Sequence, residues 1–152
     1  MIRINRQTDY AIRVVLALSK NPLGTRISTT EIQREMLIPR ALLQRIVAKL
    51  ANHGFINTHP GRDGGITLAH QPADITLLQI VETFEGEIYL SDCVVDRTAC
   101  PFGSRCPVNC RWERLRNLMR EELNRSNFEE LAGESIASGK TGCENMLVAP
   151  ST

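Results

Sequence analysis

No apolar run in the sequence approaches 18 residues, so nothing in it is long enough to span a bilayer as a helix. The opening Met1-Ile-Arg-Ile-Asn-Arg6 has no apolar core of the kind a secretory leader carries, and the expected location is the cytoplasm. A framework of structural disulfides lacks its oxidising compartment there. Histidine is scarce: only His53, His59 and His70 occur. Neither a nucleotide-binding loop nor a Ser/His/Asp set is present, which argues against an enzyme. At 152 residues the chain is one domain, or one small domain with an extension, and short for a two-layer enzyme.

Net charge is also small, at +1, but it is unevenly spread. Residues 1–70 hold ten Lys and Arg against four Asp and Glu, or +6; residues 71–152 hold eight against thirteen, or −5. The basic half suits a polyanionic partner.

Cysteine is the residue that is concentrated. Four of five lie in one stretch, Cys93, Cys100, Cys106 and Cys110, with gaps of six, five and three residues. Thiolates are soft ligands for iron–sulfur clusters, zinc or copper(I). A zinc knot shows two tight Cys-x2-4-Cys hooks, and here there is one close pair and two wide gaps. An iron–sulfur cluster in a loop closed by a helix start is the leading reading. Pro107 fits the first position of that helix, with Cys106 as its cap. Cys110, four residues on, would share a helix face with Cys106, and Asn109 also looks that way. Cys143 stands alone near the end, with no role assigned.

In chain order, Asp9–Lys20 reads as a helix with Ala11, Val14, Val15 and Leu18 on one face, capped by Thr8 or Asn5. Asp9 in the first turn has a sufficient explanation in the helix dipole. Ser28-Thr29-Thr30-Glu31 is a capping box stapled by Ile27 and Ile32, opening a helix to about Leu37. Pro39 can open the next, from Arg40 to about His53, with Leu42, Ile46, Val47 and Leu50 inward. Two strands, 55–59 and 66–69, flank a Gly-rich tip in which Asp63-Gly64 is a hairpin signal. Three helices followed by a hairpin is the winged helix-turn-helix plan. Arg40, Gln44 and Arg45 are then candidates for the major groove, and Arg62 for the wing's contact with the minor groove. A further apolar helix spans about Thr76 to Glu85. A long amphipathic one follows Cys106 to about Ser126, and residues 128–138 form a short last helix. The long helix has little core of its own to cover, so Trp112, Leu115, Leu118 and Met119 are expected to pack on a second copy.

These features together resemble the bacterial family of winged-helix regulators that includes the cluster-assembly regulator IscR and the nitric-oxide sensor NsrR. The likeness covers about residues 1–137. It is carried by Thr8-Asp9-Tyr10-Ala11, the helix-turn-helix at 28–53, the Gly61-Arg62-Asp63-Gly64-Gly65 wing, Ile75-Thr76-Leu77-Leu78, and the cysteine loop before a long helix. The resemblance implies a cytoplasmic homodimeric repressor, mainly α with a β-hairpin wing, binding a double-stranded DNA operator and touching no membrane. Its organisation would be a DNA-binding domain at 1–86, a cluster-binding loop at 87–110, dimerisation and C-terminal helices at 111–138, and a flexible tail at 139–152. It also implies that Cys93, Cys100 and Cys106 hold an iron–sulfur cluster, [4Fe-4S] in preference to [2Fe-2S]. Asp9 of the partner subunit would be the fourth ligand, as in the nitric-oxide sensors. The cluster-assembly regulators use a histidine three residues after the last cysteine, where this chain has Asn109; the adjacent Cys110 is the alternative fourth ligand. The first gap is one residue longer than in those relatives, and Arg62-Asp63 replaces Pro-Gly in the wing. Operator affinity would follow the state of the cluster, which nitric oxide, oxygen or iron shortage can attack. The alternative is a zinc-bound or thiol-redox regulator of the same shape without such a cluster.

Overall fold

The structure is a computed structural model that describes residues 3–96, 100–102 and 105–137. Cys143 and the expected tail at 139–152 lie outside the described residues, as does Ser138 at the end of the expected last helix. Its elements run α1 (Arg6–Ser19), α2 (Thr29–Met36), α3 (Arg40–Asn52), β1 (Ile56–His59) and β2 (Gly65–Leu68). They continue through a 3-10 turn (Pro72–Asp74), α4 (Leu77–Glu85), a one-turn α5 (Asp92–Val95), α6 (Pro107–Arg125) and α7 (Phe128–Ala137). The fold is mainly α with a two-stranded antiparallel wing, as expected. No helix among the described residues is long and apolar enough to cross a membrane.

Helix α1 is the centre of the core. Ala11, Val14 and Val15 are wholly buried, and the helix packs against α2, α3, α4 and α7. It begins three residues earlier than periodicity suggests. The Asn5 side chain accepts the Thr8 N–H, and Thr8 itself is buried and not the cap. On α2, the Ser28 hydroxyl accepts the Glu31 N–H, and both staple residues, Ile27 and Ile32, are buried. Leu37 closes α2 in the left-handed region, φ 53°, and is exposed; that conformation ends the helix and sets the tight turn into α3. Pro39 is the cap residue of α3 rather than its first turn. Leu43, not Leu42, is buried beside Ile46, Val47 and Leu50 on that helix, with Leu42 only partly covered.

The wing is an antiparallel hairpin, with pairing one residue further toward the tip than expected. Strand pairing ends at His59 with Gly65, so Pro60–Gly64 form a five-residue loop in which the Gly61 carbonyl accepts the Gly64 N–H. Gly61 has φ +108°, a region that L side chains rarely adopt. A Cβ on Gly65 would lie 2.5 Å from the Ile27 carbonyl oxygen. That close approach lets Ile27 and Ile66 exchange two backbone hydrogen bonds, of 3.0 and 2.9 Å, tying the wing to the start of α2.

Helix α4 is opened by a full capping box between Thr76 and Gln79. The C-terminal segment returns to it: Leu77 N–H donates to the Ser126 carbonyl and Phe128 N–H to the Ile75 carbonyl. Phe128 is thereby carried into the core with no exposed surface.

Candidate nucleic-acid interface and cysteine loop

Arg40 and Gln44 lie one helical turn apart on α3 and line one groove with Thr29, Thr30 and Gln33 of α2 and Thr58 of β1. All but Gln33 are exposed. With Asn52, which also lines it, the groove offers one guanidinium, three amides and three hydroxyls, a mixture suited to base edges and phosphates. Arg45 is exposed but does not line this groove, because it is rotated about one residue around the helix from Gln44. Arg62 is exposed on the wing loop, and an adjoining groove connects it to Ser28, Thr29 and Thr30 at the start of α2. Arg26 braces the loop by donating to the Asp63 carbonyl at 3.0 Å. His59 bonds Thr67 across the hairpin at 3.1 Å, which gives it a structural partner inside the wing. The three threonines of the groove carry no charge or periodic signal, and sequence reasoning missed them.

The cysteine loop is held against α6. Cys93 is on α5, Cys100 in a following turn, and Cys106 caps α6 with Pro107 at its first position, as expected. These three thiols are free and half-buried, while Cys110 is free and exposed. The Asn109 side chain is buried and donates to the Cys93 carbonyl at 2.7 Å, linking α5 to α6. Among the described residues no three His, Cys, Asp or Glu side chains converge on a single metal ion. Three unpaired, half-covered thiols from one loop are a donor set that fits an iron–sulfur cluster.

Asp9 lies in the first turn of α1 and pairs with Arg13 at 2.8 Å, both side chains being nearly half exposed. Arg13 also stands 5.5 Å from the Tyr10 ring centroid. The turn that bears Asp9 is anchored by Glu85 at the end of α4, which accepts from the Asn5 N–H at 2.8 Å and from the Thr8 hydroxyl. Within one chain Asp9 is thus an open carboxylate on a fixed turn.

The long helix presents Val108, Trp112, Leu115 and Leu118 to solvent, each 39–51 % exposed. Met119 is half-buried and lines an open apolar groove with Val81, Leu123, Ile4 and Leu90. It faces the seam with α4 more than the exposed stripe. That seam is stitched by ion pairs of Arg120 with Glu82 and of Arg116 with Glu87, the latter at 3.6 Å.

Residues 4–134 match the family model described as Rrf2, Iron-dependent Transcriptional regulator. The HTH-type transcriptional regulator NsrR of Bacillus subtilis is 26 % identical over 106 residues, covering 69 % of this chain and 73 % of that protein. Among solved structures, CymR (YrzC), the global cysteine regulator of B. subtilis, superposes with a TM-score of 0.73 at 24 % identity over 88 % of this chain and 98 % of that one. T. potens IscR superposes with a TM-score of 0.70 at 18 % identity over 97 % of both chains. The fold of these neighbours is the winged helix described above. The chain belongs to the Rrf2 family of transcriptional regulators.

Proposed function

We propose that this protein is a cytoplasmic, homodimeric repressor whose affinity for its DNA operator is set by an iron–sulfur cluster. The observation that carries the reading is the set of three free, half-buried thiols on one loop, Cys93, Cys100 and Cys106, closed onto the first turn of the long helix. Those three residues would hold the cluster, [4Fe-4S] in preference to [2Fe-2S], with Asp9 of the second subunit as fourth ligand and Cys110 as the alternative. When bound, the cluster supplies iron that nitric oxide, oxygen or iron shortage can attack. A carboxylate is a harder, weaker donor to such iron than a thiolate, which suits a labile sensor.

The chain's own residues carry the consequence to DNA. The loop bears on α6 through Asn109 and Cys106. Helix α6 bears on α4 through Arg120 and Glu82, and α4 meets the recognition helix α3 where Lys49 stands 4.7 Å from the Phe84 ring centroid. The exposed stripe Val108, Trp112, Leu115 and Leu118 is the surface for the second copy, so a change at α6 alters the spacing of two α3 helices. The organisation is a DNA-binding unit at 1–86, a loop at 87–110 and a dimerisation unit at 111–138. Arg40, Gln44 and Arg45 address the major groove, and Arg62 is the wing contact.

The test is purification without oxygen, an absorption spectrum with iron and sulfide counts, and titration of an operator selected from a random duplex pool before and after cluster loss. A brown or red protein whose affinity changes with the cluster is the expected result. A second reading has support in the freedom of all four described cysteines and the likeness in shape to CymR: a zinc-bound or thiol-redox regulator. A colourless protein whose affinity responds to thiol oxidation would establish it and remove the first.

A further inference from the structure

Helix α6 runs nineteen residues, and the one residue it buries is polar: Asn109, 7 % exposed. A buried amide is costly unless hydrogen-bonded, so its position calls for a physical reason. Its Nδ2 donates to the Cys93 carbonyl oxygen at 2.7 Å, across sixteen residues of chain. Cys93 is held from a second side as well, its Sγ lying 3.2 Å from the Ser91 hydroxyl oxygen. The two ends of the loop therefore meet at one residue. Cys93 is anchored by its peptide and its sulfur, and Asn109 stands three residues after the helix cap, Cys106.

We propose that Asn109 is a positioning residue, a polar latch that holds the Cys93 peptide to the first turn of α6 and so sets Cys93 relative to Cys106 before anything is bound. The physical logic is preorganisation. A ligand site built on a 4-residue helix at one end and a helix cap at the other would otherwise lose loop entropy on binding. An amide is suited to the task because it donates to a carbonyl without adding charge to the cysteine loop. An apolar residue at 109 would fill the space and leave the Cys93 carbonyl without this donor. The consequence for cluster retention rests on the cluster-holding reading above; the latch itself does not.

The test uses the full chain, reduced and freed of metal by a chelator. Asn109→Asp keeps the shape but replaces the donor with an acceptor, and Asn109→Ala removes the group. Alkylation by dilute iodoacetamide under native conditions, quantified peptide by peptide, reads the local opening. In both variants Cys93 should react about fivefold faster, the factor one ordinary hydrogen bond is worth, while Cys110 is unchanged. An unchanged Cys93 rate would overturn the latch. Equal acceleration at Cys93 and Cys110 would also overturn it, since that is general loosening of the helix. In cluster-loaded protein, Asn109→Asp should begin with the same iron count and lose its colour several-fold faster than the parent chain. If the parent never takes up iron, the cluster reading falls, and the alkylation rates still decide the latch.

Discussion

Replacing Asp9 with alanine separates a ligand from a helix-start acid, because the structural role of this carboxylate is small enough to calculate around. Its pair with Arg13 has side-chain exposures of 49 % and 43 %, so the attraction is screened and worth about 0.3–0.5 kcal/mol as an i,i+4 pair. Its interaction with the helix dipole adds roughly 0.3–1 kcal/mol. Asp9→Ala should therefore cost about 1 kcal/mol in cluster-free protein, a fall in Tm of roughly 2–4 °C, and leave the fold intact. If Asp9 is the fourth ligand, the loaded variant keeps three thiolate anchors; it should still be coloured, but with a shifted spectrum and faster cluster loss. Cys110→Ser should change little, since that thiol is exposed one turn into α6 while the buried Asn109 occupies the side facing Cys93. The assay is calorimetry of the cluster-free proteins beside anaerobic spectra of the loaded ones. A colourless Cys110→Ser protein with a normal Asp9→Ala spectrum would refute the assignment and make the site all-cysteine.

Three further outcomes follow from the geometry. Glu at both Leu115 and Leu118, which are 40 % and 51 % exposed in the single chain, would bury unpaired charge between copies; sedimentation should find monomers, and an intact dimer would move the interface elsewhere. Arg62→Ala should weaken operator binding by about 1–3 kcal/mol and flatten its salt dependence by about 0.9 in slope per lost phosphate contact. Unchanged affinity and slope in a mobility-shift titration would remove the wing from the interface. Phe128→Ala, at a side chain with no exposed surface, should cost about 3–5 kcal/mol and lower Tm on the order of 10 °C by calorimetry. A Tm within 2–3 °C of the parent, roughly what 1 kcal/mol yields, would mean that α7 is not part of the core.

What could be read directly from the sequence is what depends on near neighbours. The Ser28 cap, the staple Ile27 and Ile32 and the Cys106–Pro107 helix start are each decided within a few residues, and each stands where spacing put it. Where distant chain intervenes, local reading fails. The Asp63-Gly64 pair marks the hairpin tip, but the packing of Gly65 on the Ile27 carbonyl, which ties the wing to α2, depends on residues nearly forty positions apart. Leu42 and Leu43 are equally apolar, and only the packing of α3 on α1 decides that Leu43 is the one buried. Phe128 opens a short helix with weak periodicity; its burial follows from the hydrogen bond its N–H donates to the carbonyl of Ile75, fifty-three residues away. Asn109 could be put on the right face by helical spacing, but its partner, a backbone carbonyl on α5, leaves no trace in composition or pattern.

On the proposed reading, the two faces of α4 would let a change in the cysteine loop reach the DNA-binding half. Toward α1, α4 presents Ile80, wholly buried in a close-packed core, and a movement there would open voids at a cost of kcal/mol. Toward α6, the seam is an open apolar groove past Val81, Met119 and Leu123, bridged by the Arg120–Glu82 and Arg116–Glu87 ion pairs. Partly exposed ion pairs are cheap to stretch and re-form, typically within about 1 kcal/mol. The seam with α6 is therefore the softer of the two, and the cysteine loop is attached to α6 within one turn of its start. A loop that changes shape would slide α6 over α4 before it disturbed the core. The DNA-binding unit would then move as one body relative to its counterpart in the second copy. The device needs no unfolding of the wing or of α3. It requires only that the two copies meet through the stripe on α6, so that a small slide there is multiplied by the distance to the recognition helices.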